Sequence, residues 1–288
     1  MLSGDSALLQ YSSDRFGMSS YPNSSFEPRP PVISGPQPVA APPADSENPV
    51  WNGWEVVQIV ALALFSISVF LLMVTAAAHR WLFHGLAFVD VAKIPLLTVV
   101  AQLLGYLVVL AFMVALVKRK PGISFWEGVR WNWPKNWSAY LFAGVVLSFS
   151  LQGIAHFLPM PKELPIDRFF QTTTEAWVLS IFGVTVAPFM EELFFRGFLY
   201  PVLARRLGVV VAVLLTAIGF GLIHAPQLGR AWGPVLVVFV VGLVLTITRA
   251  VTESVAAGML IHIAYNGTLS LLIFGASDGF RHLEKLNR

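Results

Sequence analysis

The sequence predicts an all-α polytopic membrane protein, a bundle of about seven or eight transmembrane helices behind a disordered N-terminal tail. Three observations carry this. Of 288 residues, 56% are hydrophobic and only 12% charged, against about 25% charged in an ordinary soluble domain. From Trp54 onward, apolar runs alternate with short polar breaks. The first fifty residues differ from everything that follows, holding nine of the 19 prolines.

The tail also carries ten serines, and Asp5, Asp14, Glu27, Asp45 and Glu47 against Arg15 and Arg29. No apolar run in it reaches the length of a core helix, so it cannot bury enough surface to offset the entropy of ordering. It lacks the basic start and apolar stretch of a secretory signal peptide and reads as a tether. The formal net charge of +3, with no long basic block, gives no nucleic-acid footprint. The absence of cysteine removes disulfides, thiolate metal sites and cysteine nucleophiles together.

Seven apolar runs follow, at 54–78, 94–117, 139–158, 175–204, 208–225, 232–250 and 254–275. A span needs about 20 apolar residues to cross a core of about 30 Å, and most of these fit. The fourth is too long for a straight span and contains Pro188. Proline removes an i to i−4 hydrogen bond, so a kink or break is expected there. A short interfacial helix is expected between His79 and Lys93. Lys118, Arg119, Lys120, Arg130 and Lys135 against Glu127 make the break at 118–138 the most basic. That places it, the N-terminal tail, Arg205, Arg206 and Arg249 on the cytoplasmic side. Seven spans would leave the basic C-terminal stretch outside, in conflict with the same rule. Trp126, Trp131, Trp133 and Trp137 in this break read as interfacial anchors.

Against this background the stretch "APFMEELFFRGFLY" stands out, because it sets Glu191, Glu192 and Arg196 at membrane depth. Ionisable groups there face a protein interior or a watery cavity and mark a functional site by default. Glu192 and Arg196 are one turn apart and can pair. Glu191 lies about 100° round the helix from Glu192, so the two carboxylates serve different partners. Two histidines are also deep: His224 late in the fifth run, and His262 in the last, one turn before Asn266.

A glutamate and a histidine can together take a proton from water, and a second histidine with an asparagine can donate to a developing oxyanion. The set suits hydrolysis of an acyl or peptide bond by activated water. Zinc or another divalent metal held by Glu191, His224 and His262 uses the same residues, but the H-E-x-x-H helix motif is absent. Catalysis without a cofactor is the preferred reading. Each residue alone has a plainer explanation: a structural Glu–Arg clasp, a packed histidine, an asparagine joining two helices. Their joint occurrence in three of the last four apolar runs, in this order, carries the argument.

Three short patterns sharpen it. Glu191-Glu192-Leu193-Phe194-Phe195-Arg196 resembles the E-E-x-x-x-R motif of the CPBP family, the CAAX proteases and bacteriocin-processing enzymes, also called the Abi family. Phe220-Gly221-Leu222-Ile223-His224 resembles its F-x-x-x-H motif, and His262-Ile263-Ala264-Tyr265-Asn266 its H-x-x-x-N motif. The resemblance spans roughly residues 175 to 275. It implies an intramembrane endopeptidase whose substrate is a peptide or protein, prenylated or not, met within membrane lipid. It also implies that Glu191 is the catalytic carboxylate and His224 its partner in activating water. His262 and Asn266 would then form the oxyanion side, with Glu192 and Arg196 holding the geometry. The expected organisation is a tail at 1–50, N-terminal transmembrane helices at 51–174, the catalytic core at 175–276 and a C-terminal tail at 277–288. A bacterial inner membrane is the expected location. Two rival readings use the same fold: a proton-relay transporter, for which internal repeats are not visible, and a non-catalytic bacteriocin-immunity protein.

Overall fold

The computed structural model describes residues 48–161 and 164–284. The disordered tail expected over residues 1–50 lies, up to residue 47, outside them. Every regular element among the described residues is helical. The seven apolar runs become seven helical segments; among the described residues six, not the seven or eight expected, are long and apolar enough to cross a membrane. The first is α1 (Gly53–Trp81), which starts where Asn52 Oδ1 accepts the Trp54 N–H at 2.7 Å and Glu55 accepts the Asn52 N–H at 2.7 Å, a reciprocal cap. A four-residue helix, α2 (Phe88–Val91), fills the expected place between His79 and Lys93. The crossing α3 (Pro95–Val117) opens with proline in its first turn, where no N–H is needed. After the short α4 (Phe125–Gly128) comes α5 (Trp137–Ala155).

The fourth crossing, Thr173–Leu207, is broken. It runs as α6 (Thr173–Val184), α7 (Val186–Glu192), a π-helical turn over Leu193–Leu199, and α8 (Tyr200–Leu207). The α6–α7 break sits at Thr185, with φ −118° and ψ −70°. Pro188 causes it, because proline has no N–H to offer the carbonyl one turn back, that of Val184. Gly208, at φ 81°, turns the chain into α9 (Val209–His224), followed by α10 (Trp232–Thr252) and α11 (Val255–Ala276). Of the seven segments α9, at 16 residues, is the short one.

Alternate connections collect at opposite ends of the bundle. At one end Arg119 pairs with Glu55 at 2.6 Å, Trp51 Nε1 donates to the Phe198 carbonyl at 3.0 Å, Arg130 pairs with Glu253, and Ser254 bonds the Asn132 carbonyl. At the other end the Ile166 N–H reaches the Gln227 carbonyl at 3.1 Å, and Thr173 reaches the Phe280 carbonyl at 2.8 Å. In the interior α11 packs on α5, α10, α6 and α7, while α9 packs on α8 and α10. The pair α1–α3 lies on the flank, closing against the π turn and α6. Trp131 meets Trp126, Trp133 and Phe189 of α7 edge-to-face.

Candidate active site

The break at Thr185 and the wide π turn re-aim one stretch of helix, so that Glu191, Glu192 and Arg196 point into the bundle. A single wide turn of this kind inside an α-helix commonly occurs at a functional position. Glu192 and Arg196 are fully buried, and Glu192 Oε1 accepts from Arg196 Nη1 at 2.9 Å. This is the pairing expected from their one-turn spacing. Two buried charges are tolerated only when paired and further hydrogen-bonded, and Arg196 meets that condition. Its Nε donates to Thr246 Oγ1 at 3.3 Å and its Nη2 to the Gly242 carbonyl at 3.0 Å. Its guanidinium lies over the Phe220 ring at 4.6 Å, a favourable cation–π placement.

His262 brings α11 to the same carboxylate. Its Nδ1 lies 3.0 Å from Glu192 Oε1, and since a carboxylate only accepts, Nδ1 carries the proton. In the neutral ring Nε2 is then bare, and it lies 3.7 Å from Glu191 Oε2. His224 repeats the arrangement from α9. Its Nδ1 donates to the Phe220 carbonyl at 2.7 Å, and its Nε2 lies 3.7 Å from Glu191 Oε1. Each oxygen of Glu191 therefore faces the Nε2 of a different imidazole whose other nitrogen is anchored, and in the neutral rings that Nε2 is unprotonated. A separation of 3.7 Å is too long for a direct hydrogen bond, and a water to one side of either pair can reach both groups. The two carboxylates, about 100° apart on the helix, do meet different atoms: Glu191 the two Nε2 positions, Glu192 the Nδ1 of His262 and the guanidinium.

Phe220 unites the set. Its carbonyl orients His224, its ring supports Arg196, and the same ring meets His262 edge-on at 5.7 Å. Asn266 stands apart from these contacts. Its Nδ2 donates to the Gly183 carbonyl of α6 at 2.7 Å, and the amide keeps a second N–H.

Residues that the sequence reading passed over complete the site. Thr246 and Gly242 hold Arg196 from α10. Gly258 of α11 gives room to Glu192, because a Cβ there would stand 2.8 Å from Oε2. That Oε2 is buried without a hydrogen-bond partner among the described residues. Thr246, one of two threonines near the end of the 232–250 run, was the visible signal. Nothing distinguishes Gly258 from other small helix residues until the helices are packed.

Beside Glu191 lies a cavity of about 200 Å³ between α1, α3 and the α7–π stretch. Apolar side chains, among them Ile59, Ala63, Val109, Met113 and Phe194, line it. Its polar residues are Glu191 and Tyr106. Leu64 and Ile223, both largely exposed, form part of its rim. Among the described residues no group of three or more His, Cys, Asp or Glu is spaced to hold a metal ion. Glu191, His224 and His262 are residue types that zinc takes, but they are not among any such group.

Comparison with known proteins agrees with the motifs. Residues 173–268 match the model of a family described as Rce1-like, type II CAAX prenyl endopeptidase Rce1-like. No curated protein and no solved structure matches the chain. The matched stretch runs from the start of α6 into α11 and contains each of Glu191, Glu192, Arg196, His224, His262 and Asn266. Over this stretch, a third of its length, the chain is similar to the CAAX prenyl endopeptidases that the family model describes.

Proposed function

We propose that the protein is an intramembrane endopeptidase of the CAAX type, in which Glu191 and His224 activate a water molecule. The observation that carries this reading is the position of Glu191, whose two oxygens each lie 3.7 Å from an imidazole Nε2. A water hydrogen-bonded to Glu191 and to His224 Nε2 would lose a proton to Glu191 as its oxygen attacks the scissile carbonyl carbon. Collapse of the tetrahedral intermediate breaks the C–N bond, and the proton passes to the departing amine. Glu192 holds His262 through Nδ1, and Arg196, braced by Thr246 and Gly242, holds Glu192. His262 and Asn266 serve the oxyanion side, His262 from Nε2 when the ring carries both protons. The reaction is read as needing no cofactor. A divalent metal, if bound, would take Glu191, His224 and His262 as ligands and supply Lewis acidity.

The substrate is a membrane-associated peptide whose apolar part enters the cavity beside Glu191, and the family description directs attention to a prenyl-cysteine peptide. The rim at Leu64 and Ile223 supports approach from the lipid side. Lys118, Lys120, Lys135 and Arg205 join Arg119, Arg130 and Arg206 at the bundle end that holds the start of α1, which supports a cytoplasmic N-terminus.

The test is cleavage of farnesylated and unmodified CAAX peptides by the purified full chain in liposomes, with products read by mass spectrometry. The parent should cleave, and Glu191→Gln and His224→Ala should not. A Glu191→Gln variant as active as the parent would end the proposal. A chelator lane that matches the untreated lane supports the metal-free form, and loss restored by zinc overturns it.

A further inference from the structure

Glu191, Glu192, Arg196, His224, His262 and Asn266 all come from the stretch that matches the family, yet one wall of the cavity beside Glu191 comes from α1 and α3. On that wall Tyr106 is the polar side chain facing a surface otherwise made of aliphatic, aromatic and thioether groups. Its ring is held in place, stacked on Phe182 of α6 with centroids 6.1 Å apart and planes only 8° apart. Its hydroxyl makes no hydrogen bond to another described residue, and it lies within electrostatic reach of Glu191. A phenol hydroxyl in an otherwise apolar cavity that Glu191 also lines offers a hydrogen-bond donor to a bound substrate.

The other oxyanion candidates are each partly committed to protein partners. Asn266 spends an N–H on the Gly183 carbonyl, and His262 donates from Nε2 only when doubly protonated. A phenol, with an ordinary pKa of about 10, keeps its proton at neutral pH. The end of α6 sets both alternatives, because Phe182 positions Tyr106 and the next residue, Gly183, holds Asn266.

We propose that Tyr106 is a further catalytic residue of the peptidase, donating a hydrogen bond from its hydroxyl to the scissile carbonyl oxygen as that oxygen becomes an oxyanion. This rests on the endopeptidase reading above. Water oxygen bonds the carbonyl carbon, the carbonyl π pair moves onto oxygen, and the phenol shares its proton without giving it up. When the intermediate collapses the pair returns, the C–N bond breaks, and Tyr106 is unchanged.

The experiment uses the full chain in liposomes with an internally quenched farnesylated CAAX peptide, comparing the parent, Tyr106→Phe and Glu191→Gln. Tyr106→Phe, which keeps the ring and its stacking, should leave Tm and KM near parental values. Its kcat should fall by about 100- to 1,000-fold, the cost of one oxyanion donor. Ring-fluorinated tyrosine at position 106, a stronger acid, should restore activity and move the alkaline loss of kcat to lower pH. A packing role would leave that limb where it is. If Glu191→Gln abolishes cleavage while Tyr106→Phe keeps full kcat, the role of Tyr106 is overturned and the peptidase reading stands. If neither change alters cleavage, both fall.

Discussion

Glu192 and His262 meet at 3.0 Å from positions 70 residues apart in the chain, and Arg196 closes on the same carboxylate oxygen at 2.9 Å. One buried oxygen thereby ties the π turn to α11. Because Arg196 also reaches Gly242 and Thr246 of α10, three crossings are fixed around a single ion pair. The imidazole that this pair orients is one of the two that face Glu191. Site geometry and bundle packing therefore share a single set of contacts.

Removing the cation should expose that dependence. Arg196→Ala strands the buried Glu192 carboxylate and should lower stability by about 3–5 kcal/mol, read from equilibrium unfolding in mixed detergent micelles. Arg196→Lys should recover only part of it, because one ammonium cannot hold the planar fork of contacts to Glu192, Gly242 and Thr246. A parental unfolding midpoint for the alanine variant would mean that the pair does not anchor the bundle.

Thr246 offers a gentler cut. Thr246→Val keeps the shape and deletes the acceptor of Arg196 Nε, and should cost about 1–3 kcal/mol. Thr246→Ser keeps the hydroxyl and should cost less. Equal losses in the two variants would assign Thr246 to packing rather than to holding Arg196.

Gly258→Ala tests space rather than charge. The new Cβ would press on Glu192 Oε2 from 2.8 Å, so the carboxylate must shift and His262 with it. Overpacking of this kind costs about 1–3 kcal/mol. Under the proposed peptidase reading, cleavage should fall through kcat more than through KM, because Glu192 contacts His262 and does not line the cavity beside Glu191. A variant with parental kcat would show that Glu192 can move without disturbing His262.

Filling the cavity addresses recognition. Ala63→Phe places a ring in the space beside Glu191 and should raise KM on the order of tenfold while cleavage at saturating peptide persists. An unchanged KM for farnesylated peptide would mean that the apolar part of the substrate lies elsewhere.

Outside the membrane, Glu127 gives a pH prediction. Hydrogen bonds from the Ser124 side chain, then from the Ser124 backbone N–H, hold its carboxyl below the ordinary carboxylate range. A carboxyl depressed in the folded state contributes stability above its unfolded pKa and loses it as pH falls through the folded one. Ser124→Ala should return the Glu127 titration, followed by NMR, toward the ordinary value. No movement would mean that the cap does not set it.

The sequence by itself determined the all-helical membrane architecture, because seven apolar runs in a chain with few charges leave backbone groups no better partner than their own helix. It also marked the depth of Glu191, Glu192, Arg196, His224 and His262, since charged and titratable side chains are conspicuous among apolar neighbours. Pro188 announced the break in the fourth crossing for a local reason, the missing N–H. Only the tertiary structure decided which imidazole nitrogen faces which carboxylate oxygen, that Asn266 reaches Gly183, and that Gly242, Thr246, Gly258 and Tyr106 border the site. Those facts depend on how crossings distant in sequence rotate and approach one another. That rotation is set by packing across the whole bundle, which no stretch of sequence carries alone.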